Sequence, residues 1–328
     1  MPDGDHGAVV ESTLEWSVVT EADLLELYEL RSAMEYFDNP IYRASLDDIS
    51  TDFRRGSVLP GWAATMGRVK GGGVVAYCGI HPDDTGRLWV QIAVHPTARH
   101  RQLGRKMVQW AIRRSLEWQA TRGADTKLWL GYLLEERRTG LIHVLIEEGF
   151  QAERWFFDAH RDLLEEPAAP QVDPAVRLVP YTPVRAAEVR PVLNQVREHL
   201  AGSYPVSDAA WQQHLQLVDD CEGLSWLAEE TDTDAVVGYA LNTALSGGVG
   251  EPDEGWTLHL GVAPSSRHHG IGTALLQAAM HAFWHSGLSR AGIGVDTDDP
   301  ELALEFFRRC GYTLDDRLVQ LRYRPMSI

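Results

Sequence analysis

A mixed α/β fold, built twice in tandem, is the class this sequence predicts, and three observations carry that reading. Strand-like and helical segments follow one another in the same order in both halves of the chain. Corresponding residues keep a constant offset: Pro96 and Pro264 lie 168 positions apart, and so do Gly104 and Gly272. Each half also carries a strand that runs through a proline into a glycine turn and an apolar helical run, VHPTARHRQLGRKMV at residues 94–108 and VAPSSRHHGIGTALL at residues 262–276. An offset of that size is the duplication of a whole domain, not a short solenoid repeat. A chain of 328 residues is also long for one hydrophobic core.

The elements follow in order. Each half opens on a short strand, LEWSVV in the first and AVRLVPY in the second. A helix comes next, TEADLLELYELRSAM and PVRAAEVRPVLNQVREHL. In the first of these, Leu24, Leu27, Tyr28 and Arg31 recur at helical spacing, and Thr20 with Asp23 resembles a capping pattern. GWAATMGRVKGGGVVAYCGI and LSWLAEETDTDAVVGYALNTA each read as two strands around a polar or glycine-rich turn. The strands RLWVQIAV and GWTLHLGV then enter the glycine turns, and helices follow at RKMVQWAIRRSLEWQATRG and TALLQAAMHAFWHSG. A further strand, TKLWLGYLL or RAGIGVDT, precedes a second helix that ends in EEGF or RCGY, and AERWFFDAHRDL and DRLVQLRYRP close the halves as strands. Between the halves, LLEEPAAPQVDPAVR has three prolines and no apolar period, which reads as a linker of moderate stiffness. The division is residues 1–165, a linker at 166–176, and residues 177–328.

Composition narrows the function. With 44% hydrophobic and 23% charged residues the chain is globular and not disordered. The 47 acidic and 30 basic residues leave a net charge of −17, which argues against nucleic acid or an anionic membrane as partner and is compatible with a cationic substrate. No apolar run approaches the roughly 18 residues of a membrane span. MPDGDHGAVVEST lacks the basic flank and apolar core of a signal peptide, so a cytoplasmic protein is expected. Cys78, Cys221 and Cys310 are far apart without metal-ligand spacing, so reduced thiols and no metal are expected.

The glycine turn is the most informative stretch. A helix N-terminus leaves its first N–H groups unpaired and carries partial positive charge. Gly270 and Gly272 remove the Cβ atoms that would obstruct an anion there, Pro264 disfavours helix at Ala263, and Arg267 adds a charged contact. No Gly-Lys-Ser/Thr follows, as a nucleotide P-loop requires, and the glycine spacing is not that of a Rossmann fingerprint.

Val262, Pro264, Arg267, Gly270 and Gly272 together resemble the pyrophosphate loop of the GNAT superfamily of N-acetyltransferases, and the order of elements is similar across nearly the whole chain, as in its tandem, mycothiol synthase-like members. The resemblance implies two GNAT-like domains, each a mixed, splayed sheet flanked by helices. It also implies acetyl-CoA as cosubstrate, held by Leu260, Gly261, Val262, Arg267, His268, His269, Gly270, Ile271, Gly272 and Thr273. The expected reaction is transfer of the acetyl group to a primary amine of a small molecule, in a monomer whose domains pair about a pseudo-twofold axis or in a homodimer.

The copies are not equal. Arg99 and Gly104 keep their places in the first half, but Gln102 stands where the first glycine belongs, so that copy is expected to be degenerate. The acid that relatives carry six residues before the motif valine is replaced by Trp256, and by Leu88 in the first half. The tyrosine expected four residues before the closing glycine is Phe307, and Leu145 in the first half. Glu251, Asp253 and Glu254 lie just upstream and His259 lies within the strand; Glu254 and His259 are the catalytic candidates, and strict alternation turns His259 to the face opposite Trp256 unless a bulge reverses it. Tyr239 and Tyr312 are the remaining acid candidates, and Asp296, Asp298 and Asp299 either bind a cationic amine or cap the next helix. The missing base and acid also admit a non-catalytic acyl-CoA-binding or regulatory module.

Overall fold

Elements form where the apolar period changes between two and three or four, and the glycines after the second helix of each half end those helices cleanly. In the computed structural model, residues 14–40, 43–56, 64–83, 85–99, 102–122, 128–198, 206–246, 253–315 and 317–325 are described. The first thirteen residues and Glu251 lie outside them.

In chain order the elements are β1 (Leu14–Val18), α1 (Leu24–Asp38), α2 (Leu46–Gly56), β2 (Ala64–Val69), β3 (Val74–Pro82), β4 (Leu88–Val94), α3 (Leu103–Thr121), β5 (Leu130–Glu135), α4 (Thr139–Glu147) and β6 (Phe150–Asp162). They continue with β7 (Val176–Pro180), α5 (Ala186–Glu198), α6 (Asp208–Asp219), β8 (Trp226–Glu230), β9 (Val236–Leu245), β10 (Glu254–Val262), α7 (Ile271–His285), β11 (Arg290–Thr297), α8 (Pro300–Arg309), β12 (Thr313–Leu314) and β13 (Leu318–Tyr323). The capping pattern at Thr20 is formed: its N–H and hydroxyl both donate to Asp23 Oδ2, at 2.8 and 2.6 Å. The glycines that follow α4 and α8, Gly149 and Gly311, take the left-handed conformation (φ 93° and 81°) that stops each helix. Two helices that the sequence reading did not place, α2 and α6, complete the set.

Contacts divide the chain into two units, residues 1–153 with 318–328, and residues 154–317. The seams therefore differ from the division at 165 and 177. The physical reason is strand pairing. The last strand, β13, runs antiparallel to β5 and completes the sheet of the first unit, and the greater part of β6 runs antiparallel to β11 in the second. Within the first unit the order is β1-β2-β3-β4-β5-β13, with β4 and β5 parallel and the other described pairs antiparallel. Within the second it is β7-β8-β9-β10-β11-β6, with β10 and β11 parallel, the other described pairs antiparallel, and β12 on β6.

In the first unit, Leu24, Leu27, Leu30 and Met34 of α1 and Ile49 of α2 pack with Ala64, Met66 and Val74 of the sheet. In the second, Leu276, Met280 and Phe283 of α7 and Leu304 and Phe307 of α8 join Phe157, Ala159 and Ile293 in one cluster. Val189 and Leu193 of α5 with Trp211 and Leu215 of α6 pack against Tyr239 and Leu241 in another. Gly255 is required by this packing, because a Cβ there would lie 2.2 Å from the Phe283 ring.

Candidate active site

The loop of the second unit forms as the residues dictate. Ala263 sits at φ −51°, ψ 138°, an extended conformation suited to the residue before proline, and Pro264 opens a single 3₁₀ turn closed by Ser266 N–H on Ala263 O at 2.8 Å. Gly270 then caps α7 in the left-handed conformation (φ 75°, ψ 0°), and a Cβ added to it would meet nothing within 4 Å. The first intrahelical bond runs from Ala274 to Gly270 O, so the N–H groups of Ile271, Gly272 and Thr273 precede it and face the open side. Arg267 is fixed by its Nε on Val262 O at 3.3 Å, and it is exposed together with His268, His269 and Gly270. Ile271 is buried in the core and offers the loop only its backbone. The cradle is open and electropositive, and it suits a pyrophosphate.

The strand leading into the loop is irregular in two ways. β10 pairs in parallel with β11 only from Glu254–Thr257 to Arg290–Ile293, after which the strands part, leaving Leu258 to Val262 without a ladder partner on that side. Its register with β9 also slips between Thr257 and His259, so Leu258 is an extra residue. The bulge turns His259 over. Trp256 lies opposite Thr243 and His259 opposite Leu241, and those two β9 residues share a face. His259 is therefore on the same face as Trp256, against the expectation from strict alternation, with its ring 6.5 Å from that of Trp211. At Gly261 the close approach is made by a side chain: a Cβ would lie 2.3 Å from the Tyr239 hydroxyl. Burial pushes the Tyr239 phenol up from its ordinary value, and Arg197 and Arg267 oppose the shift.

Glu254 lies at the paired foot of β10, five residues before His259, a spacing of roughly 15 Å along a strand. The two candidates therefore do not meet at one reacting atom. Glu254 Oε1 is 2.6 Å from His160 Nδ1 and 3.6 Å from Arg290 Nε, and His160 Nε2 is 3.1 Å from Asp315. Trp256 lies across β11 at Gly292, where a Cβ would be 2.4 Å from the indole, and its ring is 5.7 Å from that of His160. Asp158, two residues before His160 on β6, shares this face. Burial, reinforced by Asp315 and Glu254 and opposed by His160, holds its carboxyl above the usual aspartate range. Asp296 is taken up by Arg154, whose Nε lies 2.8 Å away. Asp299 caps α8, accepting from Leu302 N–H at 3.1 Å, so its role is structural. Tyr312 and Phe307 are packed edge-to-face in the α8 core, and the Tyr312 hydroxyl is buried there without a hydrogen-bond partner among the described residues.

The loop of the first unit keeps the same backbone. His95 (φ −53°, ψ 135°), Arg99 (φ −68°, ψ 166°) and Gln102 (φ 62°, ψ 4°) reproduce Ala263 (−51°, 138°), Arg267 (−70°, 163°) and Gly270 (75°, 0°). The surroundings differ. Arg99 is held in a two-pronged pair with Asp38, both bonds 2.7 Å. β4 pairs with β3 without a bulge and parts from β5 after Trp89. In the opening, the buried Tyr132 hydroxyl accepts from Ile92 N–H at 3.1 Å. Ile92 corresponds to Leu260, and Tyr132 corresponds to Gly294, because Leu88 faces Leu130 as Trp256 faces Gly292. A cavity of about 750 Å³ adjoins this loop, lined by Val94, Arg99, Gln102, Gly104, Arg138 and Leu141 among others.

His160, Asp158 and Tyr132 escaped the sequence reading because their partners lie far away in the chain; the His160–Glu254 pair spans 94 residues. Comparisons agree with the two-part plan. A family model described as the acetyltransferase (GNAT) family matches residues 24–134 and 193–312. A mycothiol acetyltransferase from Mycolicibacterium vanbaalenii is 28% identical over 232 residues, covering 68% of this chain and 70% of that protein. A GCN5-related N-acetyltransferase from Sphaerobacter thermophilus has the same fold, with a TM-score of 0.67 at 21% identity over 97% of this chain and 99% of the other. A tandem GNAT protein from the clavulanic acid biosynthesis pathway gives 0.52 at 18% identity, over 96% and 100%.

Proposed function

This chain belongs to the acetyltransferase (GNAT) family, and from that premise we propose that it is an acetyl-CoA-dependent N-acetyltransferase acting on a primary amine of a small molecule, with the chemistry in its second unit. The observation that supports this placement is the asymmetry of the splayed strands. In the first unit Tyr132 takes up Ile92 N–H, whereas the matching residue of the second unit, Gly294, brings no hydroxyl to the N–H of Leu260, and the place of its missing side chain is bordered by Asp158 Oδ1 and the Trp256 indole. Acetyl-CoA supplies a thioester whose carbonyl carbon is open to attack by a neutral amine. Gly270, Ile271, Gly272 and Thr273 hold its phosphates through backbone N–H groups, and Arg267 adds charge. The backbone of Leu260, Gly261 and Val262 lines the gap between β10 and β11.

The amine enters on the face that carries Glu254, Asp158 and Asp315 around His160, where the three carboxyl groups favour a cationic acceptor. In this reading His259, past the bulge and nearer the loop, accepts the proton. Glu254, committed to His160 and Arg290, acts through charge. Positioning carries much of the rate where a dedicated acid is missing.

A panel of cationic amines incubated with acetyl-CoA, read by thiol release and product mass, tests the reaction. An acetylated product, lost in Gly270→Gln, is the expected result. The second reading, a non-catalytic acyl-CoA-binding module, is favoured by Trp256 and Phe307 at the places of the usual base and acid. Tight cofactor binding with no acetylated product from any amine would establish it.

A further inference from the structure

The last turn of α7 presents His281 and His285 one turn apart on one face. Glu166 reaches the same spot from the segment that follows β6. Its Oε1 lies 3.4 Å from His285 Nε2 and 3.8 Å from His281 Nδ1, and one ligand atom from each of the three residues lies within 4.8 Å of the others. The other ring nitrogen of His281 is buried and makes no hydrogen bond among the described residues. Glu166 is not on a free tether. Leu163 and Pro167 on either side of it are buried, Leu163 N–H donates to Ser289 O at 2.8 Å, and Gln171 N–H reaches Gln277 Oε1 at 3.4 Å. Gln277, His281 and His285 form one stripe at four-residue spacing, and the segment lies along it.

We propose that these three side chains bind a divalent transition-metal ion of the zinc class, which clamps the segment 163–171 to α7. Two imidazoles and one carboxylate are a borderline ligand set that suits zinc, nickel, cobalt or copper, whereas magnesium and calcium take oxygen ligands. Bonds of about 2.0–2.1 Å in tetrahedral geometry put neighbouring ligand atoms roughly 3.4 Å apart, close to the two separations from Glu166. The C-terminal end of a helix, with its partial negative charge, favours a cation. Water completes the fourth position. The clamp holds the far end of the helix whose first turn is the candidate phosphate cradle, and it acts by ordering the segment.

The test uses the full chain without a histidine tag, stripped with a chelator. Titration with zinc, read by calorimetry, should show one equivalent, and cobalt should give the visible absorption of a four-coordinate site. The affinity should fall at least tenfold in His285→Ala and in Glu166→Gln, whose side chains are exposed enough to leave the fold intact. It should be unchanged in the double variant His268→Ala/His269→Ala, which removes two adjacent histidines away from the site. Zinc should raise the melting temperature of the parent and not of His285→Ala. Absence of a stoichiometric site, or a titration that His285→Ala leaves unchanged, overturns the proposal.

Discussion

At Gly270 a positive φ coincides with open space where a Cβ would stand, and Gln102 shows that the same turn accepts a side chain on the same backbone. A non-glycine residue in this conformation costs about 1–2 kcal/mol. Gln102→Gly should therefore stabilise the first unit by about 1 kcal/mol in urea unfolding, whereas Gly270→Gln should cost a similar amount and lower acetyl-CoA affinity at least tenfold. Equal affinities for Gly270→Gln and the parent would detach the cofactor from this loop. Asp158 carries a second prediction. Its folded carboxyl titrates above the ordinary value of 3.8, so the native state retains a proton that the unfolded chain gives up, and ionisation opposes folding as pH rises through that range. Asp158→Asn should raise the melting temperature at pH 7. The gain should fade below about pH 4, where both proteins are neutral at this position. A higher KM for a cationic amine in the same variant would mark Asp158 as part of the acceptor face.

At the scale of elements, α7 is the member on which both the loop and the core depend. Phe283 is fully buried and fills the space that Gly255 leaves on β10. Phe283→Ala should cost about 3–5 kcal/mol, and Gly255→Ala about 1–3 kcal/mol through overpacking, both read from denaturant midpoints. Near-neutral Gly255→Ala would show that the strand yields where the ring does not. The helices α2 and α6 were legible in principle. Ser45 caps the helix with Asp48 in its first turn, Leu46, Ile49 and Phe53 recur along it, and Trp211, Leu215 and Val218 recur at helical spacing. The bulge at Leu258 was not legible, because it is a mismatch between two strands and neither strand's own pattern records it.

For the whole molecule, the allotment of strands changes where the chain divides. The second unit begins within β6, at Arg154, and ends at Arg317. A fragment of residues 154–317 keeps β6 beside β11, whereas one of residues 177–328 leaves that edge of β11 unpaired and carries β13 without β5. The first fragment should give the sharper thermal transition and resist limited proteolysis; the opposite ranking would return the boundary to the linker. With a net charge of −17 the chain is expected to take a cationic acceptor in preference to a polyanion, which competition between amines of different charge checks, and native mass measurement distinguishes a monomer from a homodimer.

The sequence by itself determined the duplication, the order of strands and helices and the glycine turn before α7, since each rests on a period or a spacing within a few residues. It also carried the family, through that turn and the order around it. Only the tertiary structure decided which strand completes which sheet, that His259 shares a face with Trp256, that Tyr132 fills the first opening while Gly294 brings no side chain to the second, and that Glu254 is committed to His160. Each of these is a pairing between segments distant in the chain, set by ladder register and side-chain burial, and a local pattern of apolar and polar residues does not encode a partner 40 or 94 residues away.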